Sequence, residues 1–439
     1  MDRENTVPRV ASFPGSKSKR WVEFHQNTAA PSTYVYDFVW DVTEDATGPF
    51  CTDADGNVLM DFTSHVAAAP LGYNHPTLTE RLREFDLVDP MKIAGQDFYV
   101  STGGTPEESS LPGPAHLMDE LTEISSQYDM DTVFLSNSGA EAVENAMKIC
   151  YDDCETPKYA ITFDDAFHGR TLGALSLNRS KSVYRRKFPE ISGVHDVEYS
   201  EHGLNRLRTK LGDSGHIPPE EVGFLILEPI QGEGGYNVPS ASFMSELDDI
   251  CSTHDIPIVV DEIQSGVGRT GEMWAVDHFD IEPDVITSAK ALRVGATISR
   301  SDIFPEEEAR LSSTWGAGDI LASMQGALTL SIIEEENLLD NATELGTYFR
   351  DRLREVAEQT SILTDVRGLG LMIAVEFDTA DHRDEAMETA LRHGLLTLGC
   401  GTKTLRLLPP LDVREREIDI CVDIIDDVVD EVADPVSPA

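Results

Sequence analysis

A chain of 439 residues with 79 acidic against 34 basic side chains, a formal net charge of -45, is a poor partner for nucleic acid. Apolar residues make up 40% and charged residues 26%, enough to build a core, and no apolar run is long enough to span a bilayer. The length exceeds one ordinary core, so two structural units around a shared cleft are expected.

The acids are spread over the whole chain, and only 10 of the basic residues are Lys against 24 Arg. That pattern favours a halophilic host: an acidic surface stays hydrated when salt shortens the screening length to roughly 3 Å at 1 M. An acidic protein of ordinary surroundings is the other source of such a composition. The first twenty residues carry charges but no apolar core segment, so no signal peptide is expected and a cytoplasmic location follows. Cys51, Cys150, Cys154, Cys251, Cys400 and Cys421 form no zinc pattern, and no metal site is expected.

In chain order, PFCTDADGNVLMDF reads as two strands around an Asp-Gly-Asn turn. From about residue 115 to 290, helical patterns alternate with the short apolar runs TVFLSN, YAITFDD, GFLILEP, IPIVVDE and DVITSAK. Continuous β-branched runs fit strands buried on both faces, so this block predicts an α/β fold with a mostly parallel sheet covered by helices. Long helical patterns follow over residues 320–359, and then the strand candidates GLMIAVEF and LRLLPP. The expected division is residues 1–80 as an N-terminal segment and part of a small α+β domain, 81–330 as the large domain, and 331–439 as the rest of the small domain.

Ligands of open α/β sheets bind outside the carboxyl ends of strands, and three ionisable groups fall there. GFLILE ends in Glu228, IPIVVD ends in Asp261, and DVITSA is followed by Lys290. An apolar setting lowers the pKa of a lysine and frees it as a nucleophile towards an aldehyde, although a lone lysine more often snorkels to the surface. Asp261 closes an otherwise apolar strand and needs a positive or proton-donating partner; a protonated pyridine nitrogen is one, and a helix or turn cap is another. Gln264 can hydrogen-bond a phenolate oxygen on the same ring.

Asn137-Ser138-Gly139-Ala140-Glu141 follows the strand TVFLS and forms a capping box, whose exposed N–H groups suit a phosphate or merely start a helix. Phe167-His168-Gly169-Arg170 follows YAITFDD; the aromatic ring can stack on a pyridine and Arg170 can grip a carboxylate, or both can be structural. The turn Glu228 to Gly235 displays Glu228 and Glu233 beside the cleft. Arg406 lies inside a strand pattern, where a carboxylate must meet it: the substrate's, that of Glu233, or a structural partner.

Together SNSGAEAVENAMK, FHGRTLGALS, EPIQGEGG and VDEIQSGVGRTGEMWAVDHFDIEPDVITSAK resemble the class III aminotransferases, in that family's order and spacing, over roughly Asp53 to Leu411. The resemblance implies a pyridoxal 5'-phosphate (PLP) enzyme of fold type I, with a seven-stranded large-domain sheet and a homodimer, or higher assembly, whose subunits share active sites. Carried over by position, Lys290 is the Schiff-base lysine and proton shuttle, and Asp261 the pyridinium partner. Gln264 is the ring-oxygen contact and Phe167, beside His168, the stacking ring. Ser138, Gly139 and Ala140 hold the phosphate, joined by Thr314 from the other subunit. Arg170, Glu228, Glu233 and Arg406 are the substrate-binding residues, with Glu233 pairing with Arg406 when an ω-amine is bound. The segments ALRVGATISR, RLSSTWG and NVLMDFTSHVAAAPLGYNHP look most like the lysine 6-aminotransferase branch, with 4-aminobutyrate, ornithine and acetylornithine enzymes close by. The implied reaction moves an amino group from a small-molecule donor to 2-oxoglutarate. An amino-acid racemase or epimerase on the same fold is the alternative.

Overall fold

The computed structural model describes residues 1–33, 38–85, 95–109, 111–212, 215–313 and 315–433. The chain divides into two compact units: Glu80–Leu339, and Met1–Thr79 together with Asp340–Ala439. Among the described residues no helix is long and apolar enough to cross a membrane.

The larger unit is built on seven strands: β1 (Thr132–Ser136), β2 (Tyr159–Phe163), β3 (Val194–Val197), β4 (Val222–Leu227), β5 (Ile258–Asp261), β6 (Val285–Ser288) and β7 (Gly295–Ser299). Their order across the sheet is β1-β7-β6-β5-β4-β2-β3. Pairs from β6 through to β3 are parallel, and β7 runs antiparallel to both neighbours, β6 and β1. One reversed strand therefore leaves the carboxyl ends of β1, β2, β4, β5 and β6 on the same edge, where a ligand site is expected. Every residue of β4, β5, β6 and β7 is buried, which is why these segments read as unbroken apolar or small-residue runs rather than alternating ones.

Helix α1 (Gly139–Asp153) covers this sheet. Val143, Ala146, Met147 and Cys150 recur at helical spacing and share one buried cluster with Phe224, Ile226, Val259 and Val285. The long pattern after residue 320 is two helices, Ile320–Glu335 and Leu338–Ala357. The break falls at Asn337, whose positive φ of 52° ends a helix at low steric cost for an asparagine.

In the smaller unit Phe50–Thr52 pairs antiparallel with Val58–Asp61, as the Asp-Gly-Asn turn suggests. The turn is closed by the Asp53 carboxylate, which accepts the N–H groups of Asp55 at 2.9 Å and Asn57 at 2.8 Å, while Gly56 takes φ 88°. Leu395–Leu396 adds to Val58–Asp61 in parallel and joins segments far apart in the chain. A four-stranded antiparallel sheet follows the order Leu363–Leu369, Met372–Phe377, Thr404–Leu407, Leu398–Cys400. Arg406 lies in it, opposite Ala374 on one side and Leu398 on the other, and is 5% exposed.

Candidate active site

The carboxyl edge of the large sheet opens into a cavity of about 480 Å³. Its lining brings together Asn137 to Ala140 from the start of α1, Phe167 to Arg170 after β2, Glu228 after β4, Asp261, Ile263 and Gln264 from the end of β5 and the loop beyond it, and Lys290 after β6. Short loops suffice to gather them, because the ends of β6, β5, β4 and β2 lie side by side and that of β1 lies one reversed strand away.

Asp261 is 4% exposed, and each of its oxygens has a partner. Its Oδ2 is 2.7 Å from His168 Nδ1, and its Oδ1 accepts the Ile263 N–H at 3.1 Å. His168 is fixed in turn: its backbone N–H donates to Asn178 Oδ1 at 2.6 Å, and Asn178 Nδ2 donates to the Gly169 carbonyl at 2.8 Å. His168 thus orients Asp261, while its buried Nε2 has no hydrogen-bond partner among the described residues. Lys290 sits with φ 37°, a left-handed backbone that costs a lysine about 1 to 2 kcal/mol. Arg293 beside it also has positive φ, 65°, and its N–H closes the turn onto the Lys290 carbonyl at 3.0 Å. Lys290 lines the cavity, so this strained backbone lies at the site itself.

At the start of α1 the Ser138 side chain accepts the Glu141 N–H at 3.2 Å, and the Glu141 carboxylate reaches back to the Asn137 N–H at 2.7 Å. The reciprocal bond falls one residue earlier than in a standard capping box. Gly139 and Ala140 follow as the first helical residues, whose N–H groups have no intrahelical acceptor. A Cβ at Gly139 would lie 2.8 Å from Ile263 Cδ1, so a side chain there would force Ile263 in the loop after β5 to shift.

Glu228 lines the cavity, and both its carboxylate oxygens are held by loop amides. Its Oε1 accepts the Phe167 N–H and its Oε2 the Gly232 N–H, both at 2.8 Å. The carboxylate therefore staples the loop after β2 to the loop after β4. Burial pushes its pKa up to about 7, against the lowering influence of neighbouring His168.

At the outer side of the cavity the Arg170 guanidinium lies 4.1 Å from the centroid of Tyr184 and 5.5 Å from that of Phe167. The Tyr184 hydroxyl donates to Glu233 Oε2 at 3.3 Å, and Lys181 Nζ is 3.8 Å from the same oxygen. Glu233 thus has Tyr184 and Lys181 as neighbours within its own unit, whereas Arg406 belongs to the smaller unit. Thr314 lies outside the described residues. Sequence reasoning missed Ile263, Asn178, Tyr184 and Tyr236. Ile263 was accessible, since it lies between Asp261 and Gln264 in a loop already assigned to the edge; the other three are brought in by loop geometry.

Residues 35–429 match the family described as aminotransferase class-III. The chain is a class III aminotransferase. Among its relatives is the acetylornithine aminotransferase of Archaeoglobus fulgidus, 33% identical over 87% of this chain and 93% of that protein. The alanine/serine racemase of Pyrococcus horikoshii is 32% identical over 94% of this chain and 91% of its own length. Among solved structures, lysine aminotransferase from M. tuberculosis superposes with a TM-score of 0.84 at 26% identity, covering 95% of this chain and 100% of that one. Class III aminotransferases use PLP, and the enzyme's cavity fits it: a primary amine at Lys290, an acid at Asp261, an aromatic ring at Phe167, and a helix amino terminus for the phosphate.

Proposed function

We propose that this aminotransferase moves the ω-amino group of lysine, ornithine or 4-aminobutyrate to 2-oxoglutarate in a ping-pong reaction, as a homodimer with shared active sites. The observation that carries the reading is the convergence of Lys290, the Asp261 and His168 pair, Gln264 and the start of α1 on one cavity. Likeness to a lysine aminotransferase across 95% of the chain and to the ornithine aminotransferase of Exiguobacterium, 32% identical, supports an ω-amino donor.

PLP, when bound, supplies an aldehyde that takes up amines covalently and a ring that accepts the electron pair of a broken C–H bond. The protein's residues do the rest. Lys290 Nζ is the amine that would hold the cofactor and, once displaced by the substrate's amine and free, would serve as the base and acid that moves the proton. Asp261, aligned by His168, holds a proton on the ring nitrogen and so keeps the ring an electron acceptor. Gln264 addresses the ring oxygen, Phe167 covers one ring face, and Gly139 and Ala140 bind the phosphate at the helix end. Arg170 and Glu233 select the substrate's charged groups, and Arg406 is the arginine assigned to a substrate carboxylate.

The test is an absorbance spectrum of the PLP-loaded protein in concentrated salt, with L-lysine, L-ornithine or 4-aminobutyrate added first and 2-oxoglutarate second. A visible band that bleaches with one donor and returns with 2-oxoglutarate supports the reading. The likeness to a racemase gives the competing outcome: loss of optical activity in an amino acid with no 2-oxoglutarate consumed.

A further inference from the structure

We propose that Tyr236 is a positioning residue for the cofactor ring, setting which end of the Gln264 amide faces the cavity. The inference rests on the reading in which Gln264 addresses the ring oxygen. A glutamine amide has a donor end and an acceptor end of nearly the same shape, and an anionic ring oxygen is stabilised only by the donor. Something must therefore fix the amide against rotation.

Tyr236 does so from behind. It is completely buried, and its hydroxyl donates to Gln264 Oε1 at 2.9 Å. With Oε1 held by a hydroxyl proton, the amide presents Nε2 as its donor end, and donation to Oε1 polarises the amide so that the N–H groups of Nε2 become stronger donors. Gly232 leaves room for the amide held in this way, since a Cβ there would lie 2.6 Å from Gln264 Nε2 and 3.1 Å from its Oε1.

The backbone around Tyr236 is shaped for this purpose. Tyr236 adopts φ 58°, a left-handed conformation that a large side chain rarely takes. It is held there by its N–H bond to the Gln231 carbonyl at 2.8 Å. Gln231 is anchored by its own Nε2 bond to the Asp164 carbonyl at 2.6 Å and by Asn237 Nδ2 on its Oε1 at 2.8 Å. An unfavourable backbone maintained by three side-chain and backbone bonds turns a tyrosine inwards onto one amide oxygen.

The test is a pH titration of the visible absorbance of the PLP-loaded full chain, for wild type, Tyr236→Phe, Gln264→Leu and the double variant. A ring oxygen that loses a donor holds its proton to higher pH. The midpoint should rise by on the order of one pH unit in Gln264→Leu and by roughly half a unit in Tyr236→Phe. The double variant should match Gln264→Leu, because Tyr236 acts through that amide. A wild-type midpoint in Tyr236→Phe beside a shifted Gln264→Leu, or additive shifts in the double variant, overturns the role of Tyr236 and leaves the Gln264 reading standing. An unshifted Gln264→Leu overturns the Gln264 reading itself. Tyr236→3-fluorotyrosine keeps the ring and strengthens the donor, so its midpoint should fall; a rise or no change contradicts the proposal even if Tyr236→Phe does not fold.

Discussion

The two edges of the seven-stranded sheet each carry a cavity, of about 480 Å³ at the carboxyl edge and about 520 Å³ at the amino edge, yet they are built differently. The amino-edge cavity is lined by Asp129, Asp153, Asp248, Asp255, Glu282 and Asp284, with Arg300 among them. Its positive-φ residues, Asp129 and Asp255, end helical segments, where a left-handed aspartate is ordinary. At the carboxyl edge Arg293 ends a helical turn in the same way, but Lys290 and Tyr236 carry the left-handed conformation without ending one. Size does not separate the two cavities. Converging chemistry held in strained backbone does.

Four substitutions sharpen that contrast, beginning with the largest effect. Lys290→Ala should lower transamination by at least about a thousandfold while the protein remains folded, measured as turnover with an ω-amino donor and 2-oxoglutarate. Glu228→Gln removes one of the two acceptors that tie the loops after β2 and β4 together, and should cost about tenfold in kcat/KM.

Glu262 gives a pH signature of the buried carboxyl edge. It is buried, its oxygens accept Ser265 Oγ and the Val276 N–H, and burial pushes its pKa up from 4.5 to about 7. A raised carboxyl pKa contributes stability that is fully present below the unfolded value and is lost as pH rises through the folded value. Relative to wild type, Glu262→Gln should therefore gain on the order of 3 kcal/mol in stability between pH 4.5 and just above 7, read by denaturant unfolding at each pH. The smallest effect belongs to the amino edge: Asp248→Asn, which keeps an acceptor for the Glu282 N–H, should leave turnover within about twofold of wild type. A large loss there would break the contrast between the edges.

Much of the carboxyl edge was legible from sequence because parallel strand ends are readable as such. Apolar runs ending in Glu228 and Asp261, and one followed by Lys290, locate three cavity residues without any knowledge of long-range contacts. Five of the seven strands follow from such runs, while β3 and the reversed β7 do not: VHDV is short and only partly buried, and GATIS is as uniformly buried as its parallel neighbours, so nothing in it marks its direction. What escaped was set by loops. Glu228 reads as a cleft acid in sequence and does line the cavity, but the amides that hold it, those of Phe167 and Gly232, could not be named, and the first lies 61 residues away. Tyr236 turns inwards through a positive φ that nothing about a tyrosine announces. The His168 and Asp261 pair, 93 residues apart, needs two loops to meet at a depth that periodicity cannot specify.

The most direct test of the carboxyl edge as the catalytic one is borohydride reduction of the PLP-loaded protein followed by peptide mass mapping. The expected result is a single pyridoxyl adduct on the peptide containing Lys290. An adduct on any other of the ten lysines, with Lys290 unmodified, would contradict the assignment of the cavity and of the chemistry placed in it.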